Sequence, residues 1–223
     1  MSLYKFISDF SRRGGLLVVG SNVVVKFSSV IVAIVIARML AVEDYGSVSY
    51  ALMIIVPLIP MAGISLDFAF LREGSLTEGE KRETLKRHFF VYGVMYTVFV
   101  VSFLILARSS VKNDATEYFL LLLAPLLFVE FVLRMLQTTM RVEEKNSLYA
   151  KTGVVRAFSL VLLVVPLAHF MSGTGYVYAL ILAPFITVLY FWRFLKFSSF
   201  FTKEALNIGL PNRTHIYALY IAM

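Results

Sequence analysis

Polar side chains inside long apolar runs are the residues of this sequence with the clearest chemical meaning. They are Asn22, Lys26, Glu130, Arg134 and Arg156. A lysine or arginine near mid-bilayer costs on the order of 2.5 to 3.5 kcal/mol, so it usually faces a bundle interior or a watery cavity. Three cations against one carboxylate leave this set net positive. A cavity lined by them would favour an anionic ligand, because guanidinium and ammonium groups bind phosphate and carboxylate.

The first of these runs has a polar stripe. Asn22, Lys26, Ser29 and Ala33 follow one another at i, i+4, i+7 and i+11, which is one face of a helix. We interpret this face as either a cavity lining or a packing surface. Lys26 lies about ten residues into its run, where its ammonium cannot easily reach the membrane surface, and this favours the cavity.

A second stripe contains Glu130, Arg134, Gln137 and Thr138 at i, i+4, i+7 and i+8. This spacing predicts a salt bridge between Glu130 and Arg134, one helical turn apart. The pair can act either at a ligand site or as a structural lock between helices. Arg156 begins only about one turn inside its own run, so it either joins the site or extends to the membrane surface.

The elements that carry these residues are predicted to cross a membrane. Hydrophobic residues make up 59% of the 223 and the mean hydropathy is +0.81, well above the apolar content of soluble domains. The first run, at about 1.5 Å per residue, covers roughly 33 Å, enough for a hydrocarbon core. We predict an all-α, polytopic membrane helix bundle with six transmembrane helices and the start of a seventh. The predicted spans are 16–37, 46–66, 89–107, 118–140, 152–171 and 176–195.

Charge and turn residues organise the rest of the chain. Residues 1–15 are predicted to lie on the membrane surface, 16–203 to form the six-helix lobe and 204–223 to begin the seventh helix. Within the charged loop that follows the second span, Thr77 and Glu80 predict a capping box for a short helix through Arg87. The residues 172–175 predict a tight turn between the last two full spans.

The loops also predict an orientation. Basic residues concentrate in the segments that would lie inside if the N-terminus is cytoplasmic, whereas the opposite loops hold only Arg38, Arg108 and Lys112. We therefore expect a multi-pass protein of a bacterial or archaeal cytoplasmic membrane with its N-terminus inside.

Several function classes are disfavoured. The net charge of +7 does not indicate a nucleic-acid partner, because the basic residues fall mostly between apolar runs. Cysteine is absent and the three histidines have no ligand spacing, so no metal site and no cofactor are predicted. No nucleophile with an acid/base partner is visible, and we expect no enzyme.

A family resemblance enters at the first predicted hairpin. The run Ala37-Arg38-Met39-Leu40, followed by Asp44-Tyr45-Gly46, resembles the signature A-R-x-L-G-x-x-x-Y/F-G of polysaccharide flippases in the multidrug/oligosaccharidyl-lipid/polysaccharide exporter superfamily. The end of the second span through Leu71-Arg72-Glu73 is similar to the same family, and Gly209-Leu210-Pro211 resembles the G-x-P that opens its seventh helix. The departures are Ala41, where the family usually has glycine, and the polar Arg213 and His215.

The resemblance implies a transporter with two six-helix lobes that flips an undecaprenyl-pyrophosphate-linked oligosaccharide across the membrane by alternating access. This chain corresponds to the N-terminal lobe, and we expect either a truncated form or a half-transporter that pairs with a second chain or with itself. Lys26 and Arg134 would contact the headgroup, and Asn22 would position it. Arg38, Tyr45 and Gly46 would form a structural hairpin motif, with Arg38 as its anchor.

Other interpretations stay open. The expected partners are the lipid-linked oligosaccharide, the lipid bilayer and other membrane proteins of glycan assembly. A non-transporting scaffold in such an assembly is one alternative. Another is a cation-coupled drug exporter of the same superfamily, which would be expected to have interior carboxylates rather than interior cations.

Overall fold

The computed structural model describes residues 11, 14–63, 66–111 and 113–194. Within these residues the regular structure is helical, with no strand. The helices are α1 (Gly15–Met39), α2 (Val42–Met61), α3 (Leu66–Leu76), α4 (Gly79–Ala107), α5 (Asp114–Val142) and α6 (Asn146–Phe191). Short 3-10 turns follow α4 at Arg108–Ser110 and α6 at Trp192–Phe194.

The predicted membrane helix bundle is confirmed. In the described part of the chain, five helical segments, with α2 and α3 joined as one, are long and apolar enough to cross a membrane. The last of them, α6, reverses at Ser172, whose φ of 50° and ψ of −132° are not helical. Its first limb (146–171) and second limb (173–191) are thus two crossings, and the reversal lies at the predicted tight turn. The two limbs are in close contact directly beside the reversal, since a Cβ on Gly175 would overlap the carbonyl of Leu167.

Helix α5 is the centre of the bundle. It packs against α2, α3, α4 and α6, and its buried side chains occur around most of its circumference. Leu123, Leu127, Met135 and Leu136 are among the fully buried members of the main apolar core. An α-helix that is apolar on most sides is typical of a buried position. Glu130 and Arg134 therefore lie on the most enclosed helix of the bundle.

Helix α1 lies at the edge of the bundle and packs mainly on α6. Its buried residues, Ser21, Val32 and Ile36, follow the helical repeat and form one narrow stripe. Val32 and Ile36 join a second small core with Val164 and Ala168 of the first limb. The rest of the circumference of α1, including the face with Asn22 and Lys26, is open.

The second predicted span is broken near its end. Helix α2 stops at Met61, Gly63 has a φ of +82°, and α3 starts at Leu66. The ring of Phe131 occupies this break, because a Cβ on Gly63 would lie 2.7 Å from it and a Cβ on Gly93 would overlap it. Two glycines thus make room for one aromatic ring of α5.

The charged segment after the second span differs from the prediction. Much of it is helical, since α3 extends to Leu76 and α4 begins at Gly79 and runs without interruption into the third span. The predicted capping box is wrong. The Thr77 hydroxyl, one residue beyond the end of α3, donates back to the carbonyl oxygen of Glu73 at 3.1 Å, and Glu78 takes the N-cap position without a side-chain bond.

The two predicted terminal segments fall mainly beyond the described ranges. Most of residues 1–15 and all of residues 204–223 lie outside the described residues.

Candidate functional site

An ion pair joins α5 to the first limb of α6. The Nη2 of Arg156 donates to Oε1 of Glu130. The Glu130 side chain is only 5% exposed, whereas the Arg156 side chain is 41% exposed. The carboxylate is therefore enclosed, and the guanidinium keeps donors free on its outer side for another acceptor.

This pairing corrects the predicted one. Glu130 was expected to pair with Arg134, one turn along the same helix. The Arg134 guanidinium is instead directed to the break between α2 and α3: its Nη2 donates to the carbonyl oxygens of Ile59 at 2.6 Å and Ala62 at 2.5 Å.

The physical reason is the end of α2. The last carbonyls of a helix have no partner within it, and buried carbonyls without a partner are costly. Arg134 satisfies two of them, and its Nη1 lies 3.9 Å from Oδ1 of the buried Asp67 in α3. These contacts fit the structural-lock interpretation, with α2, α3 and α5 as the helices locked. Asp67 is not among the residues predicted from the sequence, although a carboxylate just after a break in an apolar span indicates a buried partner for a cation.

The other half of the predicted stripe lines a small polar cavity. Gln137 donates from Nε2 to the hydroxyl of Thr152 at 3.0 Å, joining α5 to α6. A cavity of about 160 Å³ lies between α3, α5 and α6, and its lining includes Asp67, Arg134, Gln137, Thr138, Arg141 and Tyr149. Gln137 and Thr138 thus line the same cavity as Arg134, whereas Glu130 forms a separate ion pair with Arg156.

Asn22 and Lys26 lie on the open surface of α1. Both are exposed and border a shallow depression whose other lining residues are Val19, Val23, Phe27 and Val30. No salt bridge to Lys26 occurs within the described part of the chain. The ammonium of Lys26 is therefore available to a ligand or to another segment.

Lys26 and Arg156 lie at similar depth. We call the contact between α1 and the first limb of α6 the seam. Across the seam, a Cβ on Gly153 would lie 3.3 Å from Cγ2 of Val25. The two helices run the same way, since Gly14 faces Asn146 at their starts. Lys26 is one residue beyond Val25 and Arg156 three beyond Gly153, so their depths differ by roughly 3 Å.

The two cations also lie on the same side of the seam. With about 100° of rotation per residue, Lys26 is about 100° from Val25 in one sense and Arg156 about 60° from Gly153 in the other. On parallel helices that face each other, opposite rotations lead to the same side. Asn22 is rotated by about 60° from Val25 in the same sense as Lys26, so it lies on the same side of the seam. We name Asn22, Lys26 and Arg156 the charged face.

The predicted hairpin motif lies at the other end of α1. Arg38 is exposed in the last turn of α1, where a cation is favourable beside the unpaired carbonyls. Tyr45 and Gly46 lie near the start of α2, and a Cβ on Gly46 would meet nothing within 4 Å. Gly46 is therefore not required by packing among the described residues. The anchoring role of Arg38 stays a prediction.

No group of three potential metal-ligating side chains occurs in the described ranges.

Comparison with known proteins gives the family. The model of a family described as "Polysaccharide biosynthesis protein" matches residues 11–216. The chain belongs to this family. No curated protein sequence matches it significantly.

Solved structures show the same fold in larger proteins. One is described as an outward-facing conformation of a multidrug resistance MATE family transporter of the MOP superfamily, with a TM-score of 0.71 and 16% identity. A crystal structure of a MATE point mutant gives 0.72 and 17%. A MOP superfamily transporter from Pyrococcus furiosus, described as having a binding pocket of reverse polarity that suggests a different function, gives 0.66 and 17%.

Each match covers 94% of this chain but only 50% of the other chain. The chain therefore spans half the length of these transporters, and it has the fold of one half of them. Helix number, helix length and fold together make it a multi-pass membrane protein.

Proposed function

We propose that this protein is a membrane transporter that moves a lipid-linked, pyrophosphate-bearing oligosaccharide across the cytoplasmic membrane for the synthesis of a surface polysaccharide. Membership in a polysaccharide biosynthesis family and the fold of half a MOP superfamily transporter support this proposal. The N-terminus would be cytoplasmic, and the other half of the pathway would come from a further segment or a second copy.

The observation that carries the substrate class is the charged face. Lys26 and Arg156 lie on one side of the seam at similar depth, and the carboxylate of Glu130 is buried behind Arg156. The exposed charge of this surface is therefore positive. A pyrophosphate that crosses the bilayer loses its water, and paired cations lower the cost of that step.

Each residue of the charged face has a role in the proposal. Arg156 donates two hydrogen bonds to a phosphate oxygen pair, since Glu130 holds its guanidinium in a fixed position. Lys26 supplies a mobile second cation, and the Asn22 amide donates to the first sugar or to a phosphate. Arg134, expected at first as a headgroup contact, has its guanidinium at the broken end of α2 and keeps only a structural role in this proposal.

A drug exporter is the second candidate. It is favoured by two solved neighbours, one described as a multidrug resistance MATE transporter and the other as a MATE mutant. A carboxylate that binds a cationic drug must be accessible, however, and Glu130 is enclosed and already bonded to Arg156. The P. furiosus transporter, with the same fold, is described as one whose pocket polarity suggests a different function. The positive face of this chain favours an anion over a cationic drug.

Ligand binding by the purified protein tests the proposal. We expect undecaprenyl pyrophosphate to bind more tightly than undecaprenol, which has the same tail without charge, as measured by native mass spectrometry. The variant Lys26→Ala should reduce this difference in affinity. The control Lys81→Ala, which removes an exposed lysine at the start of α4, should leave the difference unchanged. Equal binding of the two lipids, or tighter binding of a lipophilic cation, would contradict the proposal.

A further inference from the structure

The side of the seam opposite the charged face holds an apolar groove. The groove has a volume of about 460 Å³ and lies between α1, the first limb of α6 and the end of the second limb. Val24 and Val154 are rotated from the seam in the senses opposite to Lys26 and Arg156, which places them on this other side. The remaining lining is mainly Leu, Val, Ala and the aromatic residues Tyr190 and Phe191.

A missing side chain leaves the groove open. Gly20 lies in the middle of its α1 wall, and a Cβ there would meet nothing within 4 Å. An apolar groove of this size on a membrane-spanning surface does not stay empty, because an unfilled void loses dispersion contacts along its whole wall. Among the described residues no side chain fills it.

The length of the groove fits one leaflet. Its α1 wall extends from Leu16 to Val24, eight residues along a helix, or roughly 12 Å at 1.5 Å per residue. Half of a hydrocarbon core of about 30 Å is roughly 15 Å. The groove thus begins at the end of the span and stops near mid-bilayer, as an acyl chain of that leaflet does. A polyprenyl chain is far longer than the groove.

A cation lies on the α6 wall of the groove. Lys151 is exposed in the second turn of α6 and lines the groove, and the hydroxyl of Ser147 lies one turn nearer the helix start. Lys151 has no salt bridge in the described part of the chain. A lysine at this depth extends its ammonium toward the headgroup layer. The groove therefore combines an apolar slot one leaflet deep with a lysine on its wall whose side chain extends toward the mouth.

From these observations we propose that the groove is a binding site for an anionic phospholipid. One acyl chain lies along Gly20 between α1 and α6, and the phosphate accepts a hydrogen bond from Lys151. The lipid is a structural ligand that fills the side of the seam opposite the charged face. Because the groove and the charged face lie on opposite sides of the seam, this site does not depend on the proposed transport function.

The only tryptophan in the sequence provides the probe. Trp192 follows Phe191 of the groove and is 53% exposed. The protein is reconstituted in vesicles that contain either phosphatidylglycerol or phosphatidylcholine with bromine atoms on the acyl chain, and quenching of Trp192 fluorescence is measured. We expect an about fivefold preference for the anionic lipid, the ratio that one lysine near a lipid surface gives.

Two variants and two controls make the test specific. Lys151→Gln should remove the preference, whereas Lys81→Gln, an exposed lysine at the start of α4, should keep it. Gly20→Phe fills the groove and should remove most of the quenching by the anionic lipid. Gly46→Phe, placed where a side chain is equally unhindered, should leave quenching unchanged.

Four results would overturn the proposal. The first is equal quenching by the two lipids in the unmodified protein, and the second is an equal loss of lipid preference in Lys151→Gln and Lys81→Gln. The third is no quenching by either lipid, which would mean that another segment covers the groove. The fourth is relief of quenching by unbrominated undecaprenyl phosphate but not by unbrominated phosphatidylglycerol.

Discussion

Glu130 and Arg156 form an ion pair in which the carboxylate is buried and the guanidinium is half exposed. This asymmetry gives the two residues different tasks. Glu130 is enclosed and holds its partner in place, whereas Arg156 keeps donors exposed on the side of the seam where Lys26 lies. This contact thus helps to attach the first limb of α6 to α5 and leaves part of the Arg156 guanidinium exposed on its surface.

The stability of this pair should be asymmetric. Arg156→Gln leaves the buried carboxylate without its hydrogen-bonded ion-pair partner, so we expect a loss of about 3 kcal/mol, whereas the double variant Glu130→Gln/Arg156→Gln recovers most of it. Thermal unfolding in detergent, followed by the fluorescence of Trp192, measures the cycle. Additive losses from the two single variants would contradict the pairing.

Arg134 is predicted to stabilise the protein through the break between α2 and α3. Arg134→Ala leaves the carbonyls of Ile59 and Ala62 without their donor, and we expect a loss of about 3 kcal/mol. Asp67→Asn should cost less, about 1 kcal/mol, because its oxygen is 3.9 Å from the guanidinium. The same unfolding measurement ranks the two, and an equal or reversed order would show that the carbonyl contacts are not the main ones.

Gly93 is predicted to tolerate no side chain. A Cβ there would overlap the ring of Phe131, so Gly93→Ala should lower stability by about 2 kcal/mol through overpacking. Phe131→Leu in the same protein should relieve part of this loss. Gly46→Ala is the matched control, since its Cβ meets no neighbour, and it should be neutral or slightly stabilising. A loss in the control equal to that at Gly93 would exclude the steric explanation.

The sequence predicted the membrane spans, but not the helices of the charged segment after the second span and not the partners of the charged residues. Apolar runs predicted the spans, and the residues 172–175 predicted the turn at which α6 reverses. Periodicity also placed Asn22 and Lys26 on one face. The helical repeat does not show, however, which residue of another helix a charged side chain will contact. From the sequence alone, a salt bridge between residues four apart on one helix is therefore the pairing that is predicted.

Arg134 shows why the predicted salt bridge with Glu130 was wrong. Its true acceptors are backbone carbonyls of another helix, freed by a break whose geometry depends on Phe131 and Gly93. No side-chain pattern reports a carbonyl without a partner. The pairing of Glu130 with Arg156 likewise depends on how α5 and α6 pack, and twenty-six residues separate the two in the sequence.

The cationic surface makes the most direct functional prediction. Lys26→Ala removes one of the two cations of the charged face, and we expect export of the glycan to be lost while expression and stability stay unchanged, since Lys26 has no salt bridge among the described residues. Lys26→Arg keeps the charge and should retain export. The readouts are surface glycan and the amount of protein in the membrane fraction.

Complementation of a flippase-deleted strain is the measurement that tests the central claim. The strain carries this chain together with any coding sequence that continues it, and surface glycan is measured beside the Lys26→Ala variant. Restored surface glycan that is lost in the variant is the result we predict. Lipid-linked oligosaccharide that stays on the cytoplasmic face in both strains, or export that is unaffected by Lys26→Ala, would contradict it.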